Sequence, residues 1–246
     1  MKQSIFTILS NTPLTDSVYK MVLSGDTSAI TAPGQFVNIQ ISGLFLRRPI
    51  SVCDYDGSTL TIIYKVVGKG TEAMRAMAPG EKLDILTGLG NGYDLSLTGD
   101  RPVLLGGGVG VPPMYNLAKK LLEQGKQVSV ILGFNTKSEI FYENEFRALG
   151  CDVTVTTVDG SYGKKGFVTD ALPEHSTHFC CCGPEPMLKA VYRATTTSGQ
   201  MSFEERMGCG FGACMGCSIQ TKSGAKRVCK DGPVFIREEV FGWTQE

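Results

Sequence analysis

The chain is short of one-sided charge, of histidine and of long apolar runs. Its 24 Lys and Arg balance its 24 Asp and Glu over 246 residues. That balance gives no global electrostatic footprint for nucleic acid. The two histidines, His175 and His178, read as one surface and one core residue, not as metal ligands. No apolar stretch reaches the roughly 18 residues of a membrane span. No charged-then-apolar N-terminal segment reads as a secretory signal. Neither an internal repeat nor a low-complexity tract occurs. The glycine-rich segments contain no Gly-Lys-Ser/Thr, which excludes a Walker A loop, and no GxGxxG fingerprint. These absences lead to an expectation of a cytoplasmic chain in a reducing compartment, away from membranes.

Cysteine and glycine, by contrast, are abundant, with nine and 30 residues. In a reducing compartment the cysteines are ligands or core residues, not disulfides. Four of them form a pattern. Cys209, Cys214 and Cys217 stand in C-x4-C-x2-C spacing, and Cys229 follows twelve residues later. This is the spacing of a plant-type [2Fe–2S] ferredoxin site, which carries one electron at a time. Gly208, Gly210, Gly212, Ala213 and Gly216 leave the loop almost without side chains. Such a backbone can curl round a cluster and turn N–H groups toward its sulfurs. A structural zinc site, a redox pair at Cys214 and Cys217, and buried free thiols are the alternatives. Zinc sites usually pair two short knuckles, and Cys229 has no near partner in sequence.

The organisation is tripartite, with expected units at 1–98, 99–200 and 201–246. Ser4–Leu9, Val18–Leu23, Phe36–Ile41, Ile50–Asp54, Leu60–Val67 and Lys82–Leu86 read as strands, rich in β-branched and aromatic residues. Their close spacing suggests a small barrel or sandwich. Thr71–Met77 reads as one or two helical turns. From Val103 the texture changes to strand–helix alternation. Strands are expected at Val103–Leu105, Val128–Phe134, Val153–Val158 and His178–Cys182. Helices are expected at Met114–Gln124, Ile140–Leu149, Phe167–Leu172 and Met187–Thr195. Alternation of this kind gives a parallel sheet with helices on both faces. The last unit reads as a small cluster-binding appendix.

Gly106, Gly107, Gly108 and Gly110 lie between a strand and a helix, where free N–H groups and the helix dipole can receive a pyrophosphate. A tight connection is the plainer alternative. Cys182, Gly183, Pro184 and Met187 follow another strand, at the end where open α/β sheets bind ligands; a plain strand-to-helix turn is the alternative there. Cys180, Cys181, Cys53 and Cys151 read as packing residues. Arg48 beside Ser51 could hold a phosphate and a flavin edge, although a surface arginine is the commoner explanation.

Together and in this order, these motifs resemble the ferredoxin–NADP+ reductase superfamily. Arg48-Pro49-Ile50-Ser51 looks like its flavin-barrel motif, and Gly70-Thr71 after Ile63-Tyr64-Lys65 looks like its flavin pyrophosphate loop. The Gly106–Pro112 turn and Cys182-Gly183-Pro184 look like its nicotinamide motifs. The cysteine pattern narrows the resemblance to electron-transfer subunits of class 1B dihydroorotate dehydrogenases. Arg47-Arg48-Pro49-Ile50-Ser51, Leu89-Gly90-Asn91-Gly92-Tyr93, Asp159-Gly160-Ser161-Tyr162-Gly163 and Val228-Cys229-Lys230-Asp231-Gly232-Pro233 fit that family, and the resemblance covers essentially the whole chain. Flavin subunits of NADH-dependent ferredoxin:NADP+ oxidoreductases and sulfide dehydrogenases are the nearest rivals. In that group one cluster cysteine is an aspartate, whereas all four are cysteine here.

The resemblance implies an antiparallel FAD-binding β barrel, a doubly wound nucleotide domain and a small [2Fe–2S] domain. Arg48, Pro49, Ile50, Ser51, Ile63, Tyr64, Lys65, Gly70 and Thr71 would hold FAD. Gly106, Gly107, Gly108, Gly110, Cys182, Gly183, Pro184 and Met187 would hold the dinucleotide. Cys209, Cys214, Cys217 and Cys229 would hold the cluster. The implied partner is an FMN subunit that oxidises dihydroorotate in pyrimidine (UMP) biosynthesis, with two copies of each chain. No catalytic side chain is expected, since hydride exchange between flavin and nicotinamide needs no side-chain proton donor; the cofactors carry the chemistry. One lysine, Lys137, with Glu139 close behind, favours NAD over NADP. Met207–Phe211 and Val240-Phe241-Gly242-Trp243 are expected contacts with the partner.

Overall fold

The computed structural model describes residues 1–240 and 242; Phe241 and Trp243 lie outside the described residues. Six strands close into a barrel: β1 (Lys2–Pro13), β2 (Val18–Ser24), β3 (Phe36–Ile39), β4 (Arg48–Tyr55), β5 (Thr59–Lys65) and β6 (Lys82–Leu89), with α1 (Lys69–Arg75) between the last two. The order round the barrel is β1-β2-β5-β4-β3-β6, and every pairing is antiparallel. Alternation along each strand fills the interior. Phe6, Ile8, Met21, Leu23, Val37, Ile39, Leu60, Ile62, Leu83 and Ile85 meet there. The barrel settles the barrel-or-sandwich alternative. Closure also leaves no exposed sheet edge within this unit.

The second body is an open sheet. Its elements are β7 (Pro102–Gly107), α2 (Val111–Glu123), β8 (Ser129–Phe134), α3 (Glu143–Leu149), β9 (Asp152–Thr157), the two-residue β10 (Lys164–Lys165), β11 (His178–Cys182), α4 (Glu185–Ala194) and β12 (Gly199–Ser202). Strand order is β10-β9-β8-β7-β11-β12, parallel throughout. Leu104, Val130 and Cys180 face α2 and α3, while Val103, Leu105, Ile131, Phe179 and Cys181 face α4. The sheet is therefore covered on both faces, which is why its strands read as near-continuous apolar runs.

The last elements are the hairpin β13 (Ser218–Thr221) and β14 (Gly224–Arg227), then β15 (Val234–Ile236). Strand β15 adds antiparallel to β12 and so extends the nucleotide sheet. None of β10, β12 or β13 to β15 was legible as a strand, because their short sequences carry no period. Helix α2 starts at Val111, before the expected Met114, because Pro112 and Pro113 sit in its first turn, where no N–H is required. Helix α3 starts at Glu143, after the expected Ile140. Tyr142 takes a left-handed backbone (φ 67°) just before it, and its ring packs edge-on to Tyr115 of α2. The expected helix at Phe167–Leu172 is a single 3-10 turn, Val168–Ala171.

Candidate functional site

The four cysteines come together as two pairs. The Cys209 N–H donates to the Cys214 sulfur at 3.5 Å, and the Ala213 N–H donates to the Cys209 sulfur at 3.2 Å. On the other side the Cys229 N–H donates to the Cys217 sulfur at 3.4 Å. Among the described residues no three His, Cys, Asp or Glu side chains converge on one ion position. Two separate pairs fit a binuclear cluster, which needs two thiolates on each iron. Burial raises the Cys209 thiol, but the N–H groups of Phe211, Cys214 and Ala213 outweigh it and hold the thiol below its ordinary range. Cys229 is pushed up to about 12 by burial first, then by Cys217 beside it. Loop shape comes from backbone choices and one brace. Met215 adopts φ 60°. Arg227 donates to the Gly212 carbonyl at 2.7 Å and pairs with Asp231 at 3.1 Å, gripping the turn that carries Cys229.

This module sits on the barrel. Phe36, Leu86 and Leu89 of the barrel pack with Cys217, Val228, Cys229 and Phe235. Cys217 and Cys229 are 2% exposed, whereas Cys214 faces solvent. One pair thus lies inward against β3 and β6, and the loop turns Cys214 outward. Asn91 ties the same two bodies. Its amide donates to the Val234 carbonyl at 2.7 Å and accepts from the Val234 N–H at 3.1 Å.

On the proposed flavin side, β4 opens with Arg48, Pro49, Ile50 and Ser51, all half-buried. The Arg48 side chain lies over Gly70, in the space a Cβ there would occupy. Its guanidinium donates to the Leu46 carbonyl. The Thr71 hydroxyl accepts from the Val67 N–H at 2.9 Å and donates to the Gly68 carbonyl at 3.1 Å, folding the loop before α1. Arg48 and the Gly70–Thr71 turn are therefore adjacent. Ile63 and Tyr64 point elsewhere. Tyr64 is 1% exposed and its hydroxyl donates to Asn11 at 2.9 Å. Its ring is committed to the barrel core. Ile63 packs with Cys53 and Val111 at the joint with the nucleotide sheet. Lys65 is exposed.

The two glycine-bearing turns of the sheet interlock. Strands β7 and β11 are neighbours, with Cys182 opposite Gly106. A Cβ on Gly110 would overlap the Cys182 carbonyl, and one on Gly183 would stand 2.8 Å from the Met187 sulfur and 3.3 Å from Gly107. Both turns lie at the C-terminal ends of parallel strands, where ligands enter such sheets. Gly108, by contrast, faces open space. This bare ledge before α2 fits a pyrophosphate. Cys182 is held as a thiol, pushed up to about 12 by burial. Beyond β8, Lys137 donates its N–H to Ser161 at 2.8 Å, and Glu139 accepts from the Asn135 amide at 2.9 Å. His178 is buried beside Gln200, and His175 is exposed.

Sequence reasoning missed a polar clamp between barrel and sheet. Asp54 of β4 accepts from Asn116 of α2 at 2.7 Å and from Lys119 at 3.0 Å. It also missed Asn38, whose amide donates to the Cys209 carbonyl at 3.2 Å. The available signal was a lone amide in the otherwise apolar run Phe36-Val37-Asn38-Ile39.

Comparison with known proteins agrees with this geometry. Residues 204–241 match the family described as the iron-sulfur cluster binding domain of dihydroorotate dehydrogenase B, and residues 104–193 match the oxidoreductase NAD-binding domain. A protein of Geobacillus sp. (strain WCH70), the "dihydroorotate dehydrogenase B (NAD(+)), electron transfer subunit", is 44% identical over 98% of this chain and 99% of its own length. A Fusobacterium nucleatum protein of the same name is also 44% identical, over 98% of this chain and 99% of its own. Among solved structures, that of an NADH-dependent reduced ferredoxin-NADP oxidoreductase superposes with a TM-score of 0.86 at 30% identity. It covers 97% of this chain and 90% of its own. A ferredoxin NADP+ reductase from Neisseria gonorrhoeae with bound FAD and NADP shares the fold, with a TM-score of 0.68 at 18% identity over 79% of this chain and 90% of its own. With its barrel, parallel sheet and cysteine module in this order, the chain belongs to the family of dihydroorotate dehydrogenase B electron transfer subunits.

Proposed function

We propose that this chain carries electrons from an FMN-containing dihydroorotate dehydrogenase subunit to NAD+ through its own [2Fe–2S] cluster and FAD. The observation that carries the reading is the packing of Cys217 and Cys229, with Cys209 beside them, against the outer face of β3, the strand beside the Arg48–Ser51 segment. FAD exchanges both hydride and single electrons, which lets it join a nicotinamide to an iron–sulfur cluster. The protein's contribution is placement. Arg48, Ser51, Gly70 and Thr71 are proposed to bind FAD, with Pro49, Ile50, Ile63, Tyr64 and Lys65 shaping the strands around it. Gly106, Gly107, Gly108, Gly110, Cys182, Gly183, Pro184 and Met187 are proposed to bind NAD. The interlocked turns leave the Gly108 ledge open to a phosphate and close the space behind it. Cys209, Cys214, Cys217 and Cys229 are proposed to bind the cluster, with N–H groups directed at their sulfurs.

The proposed functional units follow residues 1–98, 99–200 and 201–246. The complex is proposed to hold two copies of each subunit and to work in the cytoplasm, in pyrimidine biosynthesis. No helix of the described residues is long and apolar enough to cross a membrane. A ferredoxin:NADP+ oxidoreductase or sulfide dehydrogenase subunit would use the same fold. The full set of four cysteines and the curated relatives favour the dihydroorotate reading.

Anaerobic titration of the purified chain with NADH tests the redox assignment. Flavin absorbance should bleach, and a [2Fe–2S] electron paramagnetic resonance signal should grow, with NADPH much less effective. A colourless, zinc-containing protein would contradict it.

A further inference from the structure

Strand β3 is buried on both sides, and its two faces do different things. Val37 and Ile39 enter the barrel core, whereas Phe36 lies under the cysteine module. Asn38 shares the Phe36 face by strand alternation, and it is 1% exposed. Its amide nitrogen donates to the Cys209 carbonyl at 3.2 Å, across 171 residues of sequence. The opposite amide orientation would set two acceptors against each other, so the assignment is fixed by the partner. From the loop side, Gly210 has φ 78°, and a Cβ there would overlap the Asn38 amide. From the barrel side, Asn38 lies opposite Pro49, inside the Arg48–Ser51 segment, and its own carbonyl accepts from Arg47 at 3.3 Å. Arg47 is in turn anchored on Asp84 at 3.0 Å.

We infer that Asn38 is the positioning residue that fixes the first cluster cysteine against the flavin-bearing barrel. Apolar contacts from Phe36, Leu86 and Leu89 supply attraction without direction. The Asn38 bond supplies direction. It pins the Cys209–Gly210 peptide, from which the loop turns its N–H groups back onto the Cys209 sulfur. Packing alone does not explain the residue. The Asn38 side-chain oxygen is buried and finds no hydrogen-bond partner among the described residues. Leaving a polar atom so is unfavourable, and an apolar side chain would avoid it. The amide stands where β3 meets the Cys209–Gly210 peptide.

This inference rests on the proposed flavin and cluster assignments, and the test separates the two. The whole chain, loaded with FAD and iron, is made as wild type, Asn38→Leu and Asn38→Ala. Each is mixed anaerobically with NADH in a stopped-flow instrument, and the cluster is examined by electron paramagnetic resonance. In both variants FAD content and the rate of flavin bleaching should match wild type. Cluster reduction should slow by about tenfold, with altered resonance g values. Should Asn38→Leu fail to take up iron, Asn38→Ala decides alone, because it removes the donor and adds neither bulk nor charge beside the loop. Wild-type cluster kinetics and spectra in the loaded variant would overturn the role of Asn38. So would an equal slowing of both phases, which marks general destabilisation. A wild-type chain with no cluster signal would instead remove the functional reading on which the inference rests.

Discussion

At the scale of single residues, Gly110 and Cys182 make the clearest case. The carbonyl of Cys182 fills the space a Gly110 side chain would need. Gly110→Ala must push main chain against main chain, and overpacking of this kind costs about 1–3 kcal/mol. The variant is expected to keep FAD and lose NADH-dependent flavin bleaching, followed by stopped-flow. Cys182→Ala makes a milder change at the same point. Burial holds that sulfur as a thiol at neutral pH, pushed up to about 12, which argues against a nucleophile there. Its removal should slow flavin reduction by NADH without loss of FAD, and an unchanged rate would take Cys182 out of the site. That Cys209, Cys214, Cys217 and Cys229 come together was legible in the sequence, because three of them are closely spaced. Asn38 was not. Its partner lies 171 residues away, and nothing near it in sequence announces a carbonyl to be met.

At the scale of elements, α2 does two jobs. Its N-terminal end follows the glycine ledge, and its body carries Asn116 and Lys119 to Asp54 on the same strand that opens with Arg48. The helix thus connects the Gly106–Gly110 turn to β4 as a rigid strut. Asn116 is 1% exposed, so losing its acceptor leaves a buried donor unpaired, worth about 1–3 kcal/mol. The half-buried Lys119, on the outer side of the clamp, adds less by comparison. Asp54→Ala should therefore lower the thermal midpoint and slow the NADH-to-flavin phase, while cluster reduction by the reduced flavin keeps its rate. This is the reverse of the pattern expected for Asn38→Leu, and measuring both phases in both variants checks the two joints independently. Long periodic elements such as β2, β8 and α2 could be read directly. The late start of α3 at Tyr142 could not, because a left-handed residue held by aromatic packing leaves no local signature.

At the scale of the molecule, the barrel is the hub. On one side it meets the nucleotide sheet through Cys53, Ile63, Val111 and the Asp54 clamp. On another it meets the cysteine module through Phe36, Leu86, Leu89, Asn38 and Asn91. Strand β15 then returns from that module to the edge of the sheet, so all three regions are tied to one another. The tripartite order was visible in the sequence as changes of texture. The closure was not, since β15 is three residues long and pairs only because β12 offers it an edge. The outward turn of the loop at Cys214, with Phe211 and Met215 exposed beside it, leaves the cluster end open. An electron carrier needs a way in for electrons as well as a way out, and the exposed loop at Cys214 offers one of them. Dihydroorotate-dependent reduction of NAD+ by this chain together with its proposed FMN-containing catalytic subunit, under anaerobic conditions and against each subunit alone, tests whether electrons pass through it. Activity is expected only in the pair. No activity from an intact pair with full flavin and iron would contradict it and remove dihydroorotate as the electron source.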